Sequence, residues 1–547
     1  MTHKPIPVVD LFAGPGGLGE GFSSVLDDND QPFFQIKLSI EKDPVAHQTL
    51  TLRSLYRALK VNGVPDSYYQ YIRGHITKAE FFALPQIATA YEEVKGEARC
   101  MELGNDPKRE IDDLIRKAIE GHDEWLLIGG PPCQAYSMAG RSRRRKKDPE
   151  KFEEDPKHFL YQEYLRVIKE FKPTIFVMEN VKGMLSSKHG GKKIFDRIMA
   201  DLREPETNTV YDIRSFVVKD RQGGLRPEDF TIQSEKYNVP QTRHRVILLG
   251  ICHGRAGQTH TPLKPDNPHI NLADVFADMP PLRSKLSRRT LGRGKPDSSD
   301  EWARIVADSV NYLDGLADPV RAELEFAMRE ASNRKEFPHG AGAAFLPKPN
   351  PMAEKLQSDL ASWLRDDRLQ GVIQHEARGH METDLHRYLF AACYGKTYGI
   401  SPRLSHFPVK LLPDHKNATQ KDVPFDDRFR VQLYNGPSTT VVSHIAKDGH
   451  YYIHPDPAQC RSLTVREAAR LQTFPDNYFF EGNRTEQYHQ VGNAVPPFLA
   501  RQLAFSVKDI FSREKIPGKI PIQPQKVQTD LFPVEIDVEP CDERLAA

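Results

Sequence analysis

Three short apolar runs, each ending in a polar or glycine-rich segment, set the pattern of the first 255 residues. Ile6-Pro7-Val8-Val9 runs into DLFAGPGG, Trp125-Leu126-Leu127-Ile128 into GGPPCQAYS, and Ile175-Phe176-Val177-Met178 into Glu179-Asn180-Val181. Short apolar runs alternating with helix-like stretches predict an open α/β sheet. Ligands of such sheets sit outside the carboxyl ends of the strands, so three segments remote in sequence are expected to meet at one crevice.

From about residue 256 to 430 the pattern changes to proline breaks and charged helix-like stretches, such as 303–332 and 353–369. This predicts a second, inserted domain. Thr464 to Leu471 reads as a helix opened by a capping box, with Thr464 as N-cap and Glu467 three residues on. Residues 490–505 read as a glycine turn followed by a helix that starts near Pro496-Pro497. The expected organisation is a first domain over 1–255, a smaller one over 256–485, a segment 486–512 returning to the first, and a polar tail over 513–547 without apolar period, expected to be disordered.

Composition narrows the class. At about 150 residues per domain, 547 residues make three to four domain-sized units, or fewer if one is large. Apolar residues at 39% and charged residues at 28% fit an ordinary water-soluble chain. No run approaches the roughly 18 consecutive apolar residues of a membrane span, and the N-terminal apolar stretch is broken by Pro5, Pro7 and Asp10. A cytoplasmic protein is expected. The six cysteines stand far apart, without the paired short spacings of a zinc site or a disulfide framework. A net charge of +1 leaves room for a local basic groove.

Gly14, Gly16 and Gly19 fit G-x-G-x-x-G after a strand, with Glu41 after the next apolar run as a candidate acid for ribose hydroxyls. The loop alone suits a dinucleotide or S-adenosylmethionine equally. Cys133 stands just past a strand end behind Pro131 and Pro132, with Gln134 and Ser137 as nearby polar groups. A thiol on a stiff turn at a crevice mouth is a candidate nucleophile. The alternative, a buried core cysteine, fits the proline pair and the glutamine poorly. Glu179 ends a strongly apolar strand, where burial favours the neutral carboxyl and proton donation; its other reading is a helix cap. A thiol and a carboxylic acid together suit attack on a pyrimidine: sulfur adds to ring carbon 6, the acid protonates ring nitrogen 3, and carbon 5 becomes an enamine nucleophile able to take a methyl group.

DLFAGPGGLGEGF, GGPPCQAYSMAGR, MENVKG, VPQTRHRVILLG, RSLTVREAARLQTFP and QVGNAVPP stand in this order along the chain. Together they resemble the cytosine-5 DNA methyltransferases of bacterial restriction-modification systems, over residues 5–255 and about 436–505. The resemblance implies a Rossmann-like S-adenosylmethionine-dependent sheet with a smaller inserted target-recognition domain. It makes Cys133 the catalytic thiol, Glu179 the acid, and Arg243 and Arg245 the Q-x-R-x-R pair that holds the flipped base and the catalytic geometry. It assigns Asp10, Phe12, Gly14, Gly16, Gly17, Leu18, Glu41, Pro132, Asn493 and Val495 to the S-adenosylmethionine pocket. One departure concerns the Gly-Asp-Ile-like segment that follows the third strand and meets the adenine in this family: its nearest match here is Gly74-His75-Ile76, where either His75 substitutes or the alignment fails, and the stretch from about 77 to 123 reads as an insertion before the Cys133 loop.

Six positive charges fall in the seven residues Arg141-Ser142-Arg143-Arg144-Arg145-Lys146-Lys147. Such a run is either a solvated loop or, beside the thiol, an arm that closes on DNA phosphates. Gln134, Ser137, Arg141, Arg143, Arg144 and Arg145 are accordingly candidate DNA contacts. A base stacked in a duplex must be flipped out to reach a thiol. The resemblance places sequence reading in about 256–435, with Arg403, His406, Lys410 and Arg430 as candidates. The same region holds His375, His380, His386 and Cys393. HEARGH has histidines five apart, about 140° around a helix, which is not a zincin arrangement, so no metal is expected. The expected partners are double-stranded DNA and a cognate restriction endonuclease that acts on the same site without a stable complex, with the enzyme a monomer. A tRNA substrate, a non-catalytic binding protein and a dinucleotide oxidoreductase are the competing readings. The last leaves Cys133 and Glu179 without a role.

Overall fold

The structure, a computed structural model, describes residues 4–132, 160–189, 192–206, 209–219, 224–255, 260–266, 270–292, 296–333, 336–347, 358–413 and 426–512. Strands β1 (Ile6–Leu11), β2 (Phe34–Glu41), β3 (Ala98–Cys100), β4 (Leu126–Gly129) and β5 (Ile175–Val181) pair in parallel, in the order β3-β2-β1-β4-β5. β6 (Tyr211–Ser215), β7 (Thr231–Gln233), the short β8 (Gln241–Thr242) and β9 (His244–Cys252) follow. β9 enters the sheet antiparallel between β5 and β6, with Ile247 opposite Glu179, and also pairs with β7. A mostly parallel sheet with one reversed strand beyond β5 is the Rossmann-like methyltransferase arrangement expected from the sequence.

The central strands are buried on both faces, which is why they read as continuous apolar runs. Val9, Leu11, Leu127, Phe176 and Met178 face one core, covered by α6 (Lys108–Ile119), α7 (Leu160–Phe171) and α8 (Ile194–Arg203); Val8, Ile128, Val177 and Ile247 face the other. That second face is closed by α1 (Gly17–Ser23) and by the last described helix, α14 (Pro497–Ser512), through Leu499, Leu503 and Val507. A Cβ on Gly21 would lie 2.4 Å from Ala500 Cβ, so only glycine lets these two helices approach as they do.

Between β2 and β3 stand α2 (Pro44–Val61) and three helices α3 (Asp66–Ile72), α4 (Lys78–Ala83) and α5 (Pro85–Val94). This corrects two expectations. The third strand is β3, not the segment before Gly74-His75-Ile76: His75 follows α3 and sets its ring edge-on to Phe345. The inserted helices occupy 66–94, whereas β3 and α6, which lie within 77–123, belong to the sheet layers. Three residues, Ala-Arg-Cys, carry no apolar run to announce a strand.

Another core gathers Trp302, Leu324, Met328, Leu389, Phe390 and Phe407, from α9 (Ser299–Asp308), α10 (Asp318–Ser332), α11 (Glu382–Tyr398) and the chain after it. The stretch 303–332 is therefore two helices, not one. In the stretch 353–369 the described part holds the short helix Asp359–Leu364 and a 3-10 turn over Asp367–Leu369. β10 (Gly342–Pro347) and β11 (Gly371–Glu376) form an antiparallel pair. His375 lies on β11, so the helical spacing of HEARGH does not apply; its ring meets Thr464 Oγ1 at 2.9 Å and Pro280 O at 2.8 Å. α12 (Val465–Leu471) begins with the predicted capping box of Thr464 and Glu467. α13 (Arg484–Asn493) absorbs Gly492, so the turn expected there falls one to four residues later. No described helix is long and apolar enough to cross a membrane.

Candidate active site

Side chains alternate between the faces of a strand, and this places three charged groups on the face of Val8, Ile128, Val177 and Ile247. Asp10 near the end of β1, Glu179 on β5 and Arg245 on β9 all point there. Arg245 Nε lies 2.9 Å from Glu179 Oε1, with both side chains largely buried. The turn after β4 meets the same carboxylate: a Cβ on Gly130 would be 3.1 Å from Glu179 Oε2. Asn180 Nδ2 donates to Pro131 O at 3.3 Å, holding that turn on β5 two residues before Cys133. The register of β9 against β5 thus gives the Glu179 carboxyl a charged partner, Arg245, that the sequence reading of Glu179 did not include.

The glycine loop crosses the end of β1. Phe12, Gly14 and Gly16 all have positive φ, at 58°, 57° and 95°. The backbone thus turns sharply into α1, and nothing lies within 4 Å of where a Gly14 Cβ would stand. Glu41 at the end of β2 receives the Gly14 N–H on Oε2 and the Asp43 N–H on Oε1, each at 2.8 Å. A carboxylate has about four acceptor positions, so two remain for hydroxyls. Burial raises the Glu41 pKa above the usual carboxylate range. Leu18 is buried under the loop, and Val495 O would be 2.1 Å from a Cβ on Gly17. The segment after α13 therefore does return to the glycine loop, with Asn493 exposed beside it. Asp10 is fully buried, its carboxyl oxygens without a well-aligned donor, and burial pushes its pKa up to about 8.

Arg243 behaves differently from Arg245. It is buried, and its Nη1 donates to Val441 O at 2.8 Å and Gly492 O at 3.3 Å. Burial, with Arg245 nearby, pushes its pKa well below the usual arginine range. Its hydrogen bonds hold main chain and not an open crevice, so its geometry is that of a clamp. Two residues unremarked in the sequence share this work. Gln241 Nε2 donates to Leu471 O at 2.8 Å and its Oε1 accepts from Val441 N at 2.9 Å, while Gln472 Nε2 donates to Val491 O at 2.6 Å. Buried amides in Q-T-R and R-L-Q were the available signal, since a buried amide has to find partners. At the end of β3, Met101 N donates to Glu41 O at 3.1 Å, and Glu102 pairs with Lys42 at 2.8 Å. These two, and not His75, stand where the third strand delivers side chains to the crevice.

Cys133, Gln134, Ser137, Arg141, Arg143, Arg144 and Arg145 lie outside the described residues. Pro132 is the last described residue before them, half-buried.

A family model of C-5 cytosine-specific DNA methylases matches residues 86–509. The chain belongs to that family. The methylase is 32% identical over 524 residues to the type II methyltransferase M.Bpa9945I of Bacillus paralicheniformis, covering 92% of this chain and 99% of that one. It is 27% identical to the type II methyltransferase M.AgeI of Thalassovita gelatinovora, over 91% and 98% of the two chains. With M.XorII of Xanthomonas oryzae the identity is 26%, over 91% and 83%. The methylase is thus a DNA (cytosine-5)-methyltransferase of the kind found in type II restriction-modification systems.

Proposed function

We propose that the methylase transfers a methyl group from S-adenosylmethionine to carbon 5 of a cytosine flipped out of a specific double-stranded DNA sequence, through a covalent adduct of Cys133 at ring carbon 6. It acts as a cytoplasmic monomer and protects DNA from a restriction endonuclease that recognises the same sequence. Residues 1–255, with 486–512, carry the chemistry, and 256–485 carry target recognition.

The observation that carries this reading is the Glu179–Arg245 pair at 2.9 Å, set against the Gly130-Pro131 turn that leads to Cys133. Thiolate addition to carbon 6 pushes electrons toward ring nitrogen 3, where a proton must arrive. Glu179 is the donor at that nitrogen, and Arg245 holds its carboxyl in register and donates to the base. Carbon 5, now an enamine carbon, takes the methyl group. Loss of the carbon 5 proton to a base then lets the carbon–sulfur bond break and returns the thiolate, while nitrogen 3 gives its proton back.

The residues present suit the cofactor. An open cradle at Gly14, a carboxylate at the end of β2 with acceptor capacity left, and Val495 closing over Gly17 are the groups a nucleoside with an amino-acid tail requires. Phe12, Gly14, Gly16, Gly17 and Leu18 would line the tail, Glu41 the ribose, Met101 and Glu102 the adenine side, with Asn493 and Pro132 at the rim. Bound there, S-adenosylmethionine supplies an electrophilic methyl group.

The test is transfer of a labelled methyl group from S-adenosylmethionine to duplex DNA and, in parallel, to tRNA, with Cys133→Ala beside the wild type. Label in DNA that disappears in the variant is expected. Label in tRNA alone would move the inserted domain to RNA, and full DNA activity in the variant would refute the adduct.

A further inference from the structure

A cavity of about 370 Å³, lined by charged, amide and apolar side chains together, opens where the inserted domain meets the catalytic strands. One wall, Ser401 to Arg403, follows α11 of the inserted domain, and Ser401 Oγ accepts from Val431 N at 3.1 Å. The opposite wall ends in Thr439, on β12 (Ser438–Thr439), which pairs with β8 of the catalytic half. The next residue, Thr440, donates its hydroxyl to Thr242 O at 2.6 Å, and Val441 O receives Arg243, two residues before Arg245. The cavity is therefore held at a fixed offset from the Glu179–Arg245 pair.

Its charged lining is two guanidiniums and two carboxylates. Arg403 Nη1 lies 3.1 Å from Asp426 Oδ2, and Arg430 pairs with Asp427. Asn435 adds an exposed side-chain amide on the turn before β12. Four cancelling charges give no attraction for a phosphate, which the two carboxylates would repel. Donors and acceptors set together among apolar groups in one recess match the edge of a base pair, where arginine serves guanine, asparagine adenine, and aspartate the amino group of cytosine. Of the basic candidates in this region, Lys410 and His406 do not line the cavity: Lys410 pairs with Asp314 at 2.6 Å, and His406 stacks on Tyr394 while accepting the Arg403 N–H. Arg403 and Arg430 are the two that line the cavity.

Resting on the function proposed above, we infer that this cavity reads the edge of one base pair of the recognition sequence, with Arg403, Arg430 and Asn435 as specificity-determining residues and Asp426 and Asp427 aiming the guanidiniums. The test is methylation of a duplex library randomised around a cytosine, mapped by bisulfite sequencing, for the wild type, Arg430→Ala and Asn435→Ala. Asn435 sits on an exposed turn, so its variant keeps the experiment decisive if Arg430→Ala does not fold. In at least one variant, discrimination at a single position is expected to fall about 5- to 150-fold, the worth of one bidentate base contact, with the other positions read as before. Unchanged sequence preference in both variants, or a uniform loss across all sequences, overturns the assignment and leaves the methyltransferase reading intact. A wild type that methylates no DNA overturns both.

Discussion

At the residue scale the site turns on Glu179 and its guanidinium partner. Glu179→Gln keeps the side chain's size and removes the transferable proton, so single-turnover methylation should slow about 10²- to 10⁴-fold while DNA affinity, read by fluorescence anisotropy, changes little. Arg245→Ala frees the carboxyl from its 2.9 Å partner and should lower the same rate. Gly17 is a second point of leverage. Any side chain there meets Val495 O at 2.1 Å, so Gly17→Ala should weaken S-adenosylmethionine binding at least 10-fold by calorimetry, because the returning segment must move away. Asp10 carries a pH signature. Its pKa is about 8 in the fold and near 3.9 in an unfolded chain. Over that interval the folded state holds a proton that the unfolded chain releases, so this group favours the fold at low pH and loses that advantage as pH rises from about 4 to 8. Denaturant titrations of the cofactor-free enzyme should show Asp10→Asn gaining on the wild type across this range; parallel curves would contradict the burial argument.

Elements explain what could be read from sequence. β1, β4 and β5 are buried on both faces, and their apolar runs ended where the chemistry begins. The capping box of Thr464 and Glu467 was legible because it is local, a hydroxyl and a carboxylate three residues apart. β3 was not legible, since three residues flanked by charge hold no period and their burial comes from neighbours distant in sequence. The surroundings of His375 were not legible for the same reason: its strand pairs with β10, a partner invisible locally. The roles within Q-T-R-H-R also needed the fold, because only the register of β9 against β5 shows Arg245 reaching Glu179 while Arg243 is bound to main chain. α12 carries a stability consequence of its own. Arg461 forms a two-pronged pair with Glu467, both nearly fully buried, and the guanidinium holds that carboxyl far below its usual range. Glu467→Gln leaves Arg461 buried without a counter-charge and should cost about 3–5 kcal/mol in urea unfolding.

On the scale of the whole molecule, the inserted helices α3 to α5 tie the two halves together. Their aromatic core includes Leu369 and Ile373 from the segment proposed to carry target recognition; Tyr69 donates to Asp366 at 2.7 Å and Arg73 to Leu369 O at 3.1 Å. Phe81 is fully buried, stacked on Tyr71 at 4.9 Å. Phe81→Ala should cost about 3–5 kcal/mol and split a single calorimetric transition into two, as the brace between the halves weakens. On the proposed function, the basic run after Cys133 meets DNA phosphates and belongs to the same scale through counterion release. Neutralising Arg143, Arg144 and Arg145 should raise the DNA Kd and reduce the slope of log K against log salt by about 2–3; an unchanged slope would assign the run to solvent. The central claim is the Cys133 adduct on a flipped cytosine in duplex DNA, and the most direct measurement is trapping on a duplex that carries 5-fluorocytosine at the target position. Fluorine cannot leave carbon 5 as a proton does, so the adduct cannot eliminate. The account predicts a complex stable to denaturant, dependent on S-adenosylmethionine, formed by the wild type and absent in Cys133→Ala. A complex that forms equally in the variant, or no complex from a wild type that methylates the unmodified duplex, would contradict it.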